Sequence, residues 1–306
     1  MVRYISLRLL IAIPALWLIA TMVFLLAHVV PGDPVQQMLG AGATLEDVQH
    51  LRHSLGLDLP VLVQYERYLS GAVRGNLGES FRYQRPVTGV VLEHYPATLE
   101  LAIVALLVCG AIAIPAGMLA AQRRGTGTDH SIGVLTLFGL SVPNFALGPV
   151  LILVFSVLIG WLPVSGRGGV SHLILPAITL GAALAAILTR MVRTSVIEEL
   201  SADYVRTARA KGLSERTVLF RHAFRNALIP ILTILGLQFG TLLAGAIVTE
   251  TIFSWPGIGR LAVQAIEARD YPLLQGCILV IAVSYVLVNL LTDVLYAFVD
   301  PRVRFE

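Results

Sequence analysis

Few side chains in this sequence have the type and spacing that chemistry needs. His50 and His53 stand three apart, so a helix would put both imidazoles on one face, the beginning of a metal site. They lie in a polar stretch from Glu46 to Leu55, where a solvated face is the better reading and no metal is expected. Cys109 and Cys277 both sit inside apolar runs and read neither as disulfide partners nor as metal ligands. Glu100, Glu250 and Asp293 fall in or at the ends of apolar runs. Ion-coupled transport would need such groups, but no carboxylate pair or internal repeat accompanies them. The sequence has no Gly-x4-Gly-Lys-Ser/Thr phosphate loop, no Gly-x-Ser-x-Gly and no His-Glu-x-x-His, so no catalytic residues are expected. What remains is a set of polar side chains in apolar surroundings: Ser141, Asn144, Gln238, Thr249 and Glu250. Facing lipid would be costly for them. They are expected either to line a translocation route or its outer gate, or to bond neighbouring helices.

The elements that must position these groups follow from composition. Of 306 residues, 56% are hydrophobic and only 13% charged, with a mean hydropathy of +0.80. Soluble domains carry about 25% charge, so this chain could not cover a water-facing surface of its size. The net charge of +3 is too small for a nucleic-acid binder. A bilayer core of about 30 Å takes about 20 apolar residues per helix. Six runs qualify: 9–30, 98–121, 131–160, 172–191, 228–248 and 276–299. Backbone polar groups in lipid must be paired internally, so these are helices, and barrel-type alternation is absent. The fold class is an all-α polytopic membrane protein. Arg3 and Arg8 before the first run invite a signal-peptide reading, but the run is too long and no small-residue cleavage site ends it, so a retained helix is expected.

Basic residues orient the spans. Fourteen lie at the termini, at Arg123 and Arg124, or in the cluster between 190 and 225, against three in the short loops of the other side, Arg167, Arg260 and Arg269. Both termini are therefore expected to be cytoplasmic, with 31–96 and 253–275 outside. The long outer segment 31–96 reads either as a self-packed cap or as a contact surface for another protein. Proline and glycine within the spans suit helices packed around a pathway, or ordinary close packing through small residues.

The loop after the fourth span is the most informative segment. Gly212 breaks it into two short helices, and Ser214 is a plausible N-cap for the second, 214–226. At a period of 3.6, Phe220, Phe224 and Ala227 share one face, with Arg221 and Arg225 beside it. Such a helix could lie on an anionic leaflet, be a solvated charge face, or dock on a cytoplasmic protein.

The stretch from Tyr204 to Pro230 resembles the cytoplasmic loop of permease subunits of ATP-binding-cassette (ABC) importers, in particular the dipeptide/oligopeptide/nickel branch. Other segments resemble it in the same order: Pro31-Gly-Asp-Pro34, Leu55-Gly-Leu-Asp58, Gly75-Asn-Leu-Gly78, Ser141-Val-Pro-Asn144, the run from Glu250 through Trp255-Pro-Gly to Arg260, and Asp300-Pro-Arg302. The wording is similar to glutathione and dipeptide importer permeases. The wider superfamily carries Glu-Ala-Ala where this chain has Arg206-Thr207-Ala208, a departure common in the peptide branch.

The resemblance implies the type I importer permease fold with six transmembrane helices. It implies a first helix and outer loop at 1–97, a five-helix core at 98–299 with a coupling loop at 193–228, and a cytoplasmic tail at 300–306. It implies a subunit without cofactors in a bacterial inner membrane, carrying small peptides, glutathione or, alternatively, nickel. Its implied partners are a second homologous permease, two cytoplasmic ATP-binding subunits that hold ATP and Mg, and an extracytoplasmic substrate-binding protein. Gly212, Phe220, Arg221, Phe224 and Arg225 are the residues expected to couple to the ATPase.

Overall fold

The structure is a computed structural model that describes residues 2–29, 34–39 and 43–299. Residues Pro31, Gly32 and Asp33 of the first motif, Arg302, Arg304 and the whole 300–306 tail lie outside the described residues. Regular structure among the described residues is helical, apart from one isolated bridge between Glu79 and Pro86. The helices are α1 (Val2–Val29), α2 (Pro34–Leu39), α3 (Leu45–Ser54), α4 (Val61–Val73), α5 (Val87–Gln122), α6 (Gly127–Ser141) and α7 (Asn144–Leu151). They continue with α8 (Val170–Leu200), α9 (Asp203–Ala210), α10 (Glu215–Thr217), α11 (Arg225–Gly245), α12 (Ile247–Ile252), α13 (Ile258–Glu267) and α14 (Tyr271–Val299). Wider π-helical turns follow α7 (Ile152–Leu158) and precede α11 (Val218–Phe224).

Four stretches are long and apolar enough to cross a bilayer: Val87–Gln122, Val170–Leu200, Glu215–Leu243 and Tyr271–Val294. The apolar part of α1, Leu10–Leu26, falls within the first expected run. The third expected run, 131–160, is not one straight helix. It forms Gly127–Ser141 and Asn144–Leu158, bent by 99°. Pro143 has no N–H to donate and forces the residue before it out of the helical region. Val142 accordingly takes φ −87° and ψ 114°, which ends α6.

Two compact units are formed, one from Leu99–Trp255 with residues 287–299, the other from Val2–Thr98 with Pro256–Val286. In the first unit α8 is central, and glycines set its neighbours' distance. A Cβ on Gly181 would lie 2.7 Å from the Ala105 carbonyl oxygen on α5. One on Gly117 would lie 2.6 Å from the Val192 Cβ and 2.8 Å from the Thr189 carbonyl oxygen. A Cβ on Gly139 of α6 would lie 3.2 Å from the Ala186 Cβ, a tight but less severe contact. With no hydrophobic drive between helices in lipid, such close approach supplies the van der Waals contact that holds them together. The core of this unit collects around Cys109, Leu188, Val192, Val196, Leu219 and Ile231.

The core of the second unit is built from Val87, Val90, Val91, Ile258, Leu261, Leu273 and Cys277. Its polar centre is Asp270, fully buried before α14. The carboxylate accepts hydrogen bonds from Ser80 Oγ (2.5 Å), the Arg82 amide (3.0 Å) and the Leu273 amide (3.1 Å), so it caps α14 and ties it to the 80–82 turn. Asp270→Ala strands three donors and removes a cap. We expect a stability loss of about 3 kcal/mol, read as a lowered unfolding midpoint in detergent. Asp270→Asn, which keeps an acceptor oxygen, should cost less. Unchanged midpoints for both would mean that this knot contributes nothing.

Candidate functional site

The arginine-rich loop is assembled on the end of α8. After the turn at Ser201 and Ala202, α9 runs as a two-faced helix, burying Val205 and Ala208 against Val218 and Leu200. Tyr204, Arg206, Thr207 and Arg209 remain exposed. Gly212 turns the chain at φ +77°, a conformation that suits glycine. Ser214 caps the next helix as expected, accepting from the Thr217 amide. Arg209 grips Glu215 across the turn, with Nε at 2.8 Å.

Tyr204 is the tie that sequence reasoning missed. Its hydroxyl donates to the Glu199 carboxylate at the end of α8 and accepts from Asn226 Nδ2 (2.9 Å) at the start of α11. Burial and the neighbouring carboxylate raise this phenol above its ordinary range, so at neutral pH it stays a donor. Residue periodicity carries no signal for a bond between positions 22 apart.

The expected face of Phe220 and Phe224 does not form as read. The segment Val218–Phe224 is π-helical, and its wider turn rotates successive side chains away from the 3.6 period. Phe220 is 51% exposed, whereas Phe224 packs against the core of its own unit and Ala227 is buried. Arg221 and Arg225 are exposed. The helix expected at 214–226 is also not separate, since it continues into the span Glu215–Leu243.

The five polar residues of the spans divide. Ser141 is exposed at the end of α6, its hydroxyl donating to the Leu137 carbonyl at 2.9 Å. Asn144 begins α7 just past the bend, and its buried Oδ1 has no hydrogen-bond partner. Gln238 is buried, donating to the Leu184 carbonyl of α8 (3.3 Å) and accepting from Cys109 Sγ (3.5 Å). That is the interhelical alternative. Thr249 and Glu250 are fully enclosed within the unit, Thr249 with an unpartnered hydroxyl.

Two ion pairs brace this unit. Arg193 of α8 makes a two-pronged contact with Asp129 of α6, at 2.6 and 2.7 Å, and Asp129 also accepts from the Gly125 amide. Arg167 pairs with Glu100 at 2.6 Å and lies over the buried Trp255 ring. Glu100 thus has a fixed cation as partner. In the second unit His53 pairs with Asp58 at 2.6 Å, and no metal-holding group of three His, Cys, Asp or Glu occurs among the described residues.

Comparison with known proteins adds the following. The family model described as binding-protein-dependent transport system inner membrane component matches residues 113–305. Its N-terminal companion matches residues 1–102. The chain is 44% identical over 306 residues, all of both chains, to the glutathione transport system permease protein GsiC of Escherichia coli K12 and of Shigella dysenteriae. Among solved structures, an inward-facing MetNI methionine ABC transporter matches 69% of this chain and 96% of its own with TM-score 0.60 at 16% identity, a likeness of fold.

Proposed function

The chain belongs to the family of binding-protein-dependent transport system inner membrane components, and from that premise we propose that it is the permease subunit of an ATP-driven importer of glutathione or a similarly small peptide. The observation that carries the cargo class is the end-to-end 44% identity to glutathione permeases, which leaves no segment unmatched. The proposed setting is a bacterial inner membrane, with both termini cytoplasmic. The proposed partners are a second homologous permease, two cytoplasmic ATP-binding subunits that hold ATP and Mg, and an extracytoplasmic binding protein.

In this reading the outer face of α9, the Gly212 turn and Phe220 form the surface that meets the ATPase. A push on α9 has short paths into the membrane. Val205 and Ala208 press on Leu200 and Val218. Tyr204 joins the ends of α8 and α11. The Arg193–Asp129 pair passes movement of α8 to α6, which ends at the Val142–Pro143 bend. Ser141 and Asn144, at that bend, are the proposed route residues. Gln238, Thr249 and Glu250 serve the packing behind it.

The test is uptake of labelled glutathione into proteoliposomes holding the chain, its partner permease and the ATPase, with the binding protein outside. Uptake should require ATP and persist when a protonophore collapses the proton gradient. Uptake driven by the gradient without ATP would overturn the proposal.

A further inference from the structure

The second unit holds a cavity of about 700 Å³ that neither the α9 surface nor the Pro143 bend uses. Phe24, Leu55, Leu77 and Pro272 give it apolar walls. Some of its polar groups are committed to the fold. Gln64 donates to the carbonyls of Leu57 (3.3 Å) and Leu59 (2.8 Å), and its Oε1 meets His28 Nε2 at 3.2 Å. Three other polar side chains also line it. Gln275, only 9% exposed, lines the cavity. The Tyr68 hydroxyl is buried without a partner. The Arg67 guanidinium donates no side-chain hydrogen bond, and it reaches past Gly56, where a Cβ would lie 3.4 Å from Nη1.

Buried hydroxyls are ordinarily satisfied, so the orphaned Tyr68 hydroxyl, on the same cavity as Gln275 and Arg67, points to a missing occupant. The volume falls within the roughly 300–1,000 Å³ of small-molecule sites. The exposed Arg67 guanidinium lines it, with the Asp58 carboxylate near enough to feel its charge, and its fork of N–H donors suits an anionic group of an occupant. A guanidinium matches a carboxylate with paired donors. A carboxamide matches a peptide unit because each both donates and accepts. Burial pushes the Tyr68 phenol up to about 12, which keeps it a neutral O–H donor.

We propose that this cavity is a binding site for a small peptide, with Arg67 holding the free carboxylate, Gln275 the adjoining peptide unit and Tyr68 donating a further hydrogen bond. The inference rests on the reading of the chain as a peptide importer. It adds a cargo site on the chain itself, in the unit that contains the long loop.

The experiment is equilibrium binding of radiolabelled glutathione and dialanine to the purified, detergent-solubilised transporter without its binding protein. Saturable binding should appear. Arg67→Ala and Gln275→Leu should each weaken it at least tenfold, and the C-terminal amide of dialanine should compete at least tenfold less well than dialanine. Arg67→Lys, which keeps the charge but not the fork, should fall between. Thermal unfolding of each variant separates lost binding from lost fold. Wild-type binding that both variants retain would overturn the site, as would a complex that imports peptide yet shows no saturable binding at millimolar peptide. Import by the same wild-type preparation with its binding protein reports separately on the peptide-importer reading.

Discussion

Gly181→Leu should leave almost no monodisperse protein after membrane extraction, whereas Gly133→Ala should be recovered at the wild-type level. The difference lies in what each new side chain meets. A Cβ on Gly181 is already 2.7 Å from the Ala105 carbonyl oxygen and 3.1 Å from Val108. The first obstacle is backbone, which has no rotamer to move into, so α5 and α8 must separate. Overpacking of a tight core costs about 1–3 kcal/mol for an added methylene and more for larger groups. Gly181→Ala should therefore lower the unfolding midpoint measurably, and leucine should exceed the few kcal/mol that hold a unit together. Gly117→Leu should behave likewise, since its Cβ would strike both Val192 and the Thr189 carbonyl. Gly133 has nothing within 4 Å of its would-be Cβ, and alanine there favours the helix. Equal recovery of Gly181→Leu and Gly133→Ala in fluorescence-detected size exclusion would show that α5 and α8 do not pack as described.

The apolar runs were legible because bilayer thickness imposes length and composition, and these are local properties of the chain. The expected runs at 98–121, 172–191 and 276–299 each fall inside a long helix, α5, α8 and α14. Less legible was anything that depends on where a helix face points. The Ser141-Val-Pro-Asn144 motif was read inside a span, but the 99° bend is set by how the two halves pack after Pro143 breaks the ladder. Gln238, Thr249 and Glu250 are polar in apolar surroundings, and composition alone does not tell a lumen from a neighbouring helix. Their burial is decided by packing around α8. The π-helical turn at Val218–Phe224 shows the same limit, since a 3.6-residue period presumes the turn width it is used to infer. The Tyr204 tie and the Asp129–Arg193 pair join distant positions and leave no periodic trace.

That turn also reshapes the coupling prediction. Phe220→Ala should weaken capture of the ATPase at least tenfold, while Phe224→Ala should leave capture by the folded protein unchanged and lower its stability instead. Sequence spacing would have the two phenylalanines act together. In the structure Phe220 is 51% exposed and free to enter a cleft, whereas Phe224 already fills space against the core of its own unit. Burying an aromatic contributes about 1.5–3 kcal/mol, and each 1.4 kcal/mol is about tenfold in affinity. Removing Phe220 should therefore cost roughly ten- to a hundredfold. Truncating the half-buried Phe224 should cost a few kcal/mol of folding stability through the cavity it leaves. Arg221 is exposed, so Arg221→Ala should weaken capture by less than about fivefold, with an effect that fades as salt rises. The measurement is ATPase titration onto the immobilised permease pair in detergent, with the unfolding midpoint of each variant taken in parallel. If Phe220 instead anchors the loop in the bilayer surface, Phe220→Ala would bind the ATPase like wild type and support full uptake. The docking face would then shrink to α9 and the Gly212 turn.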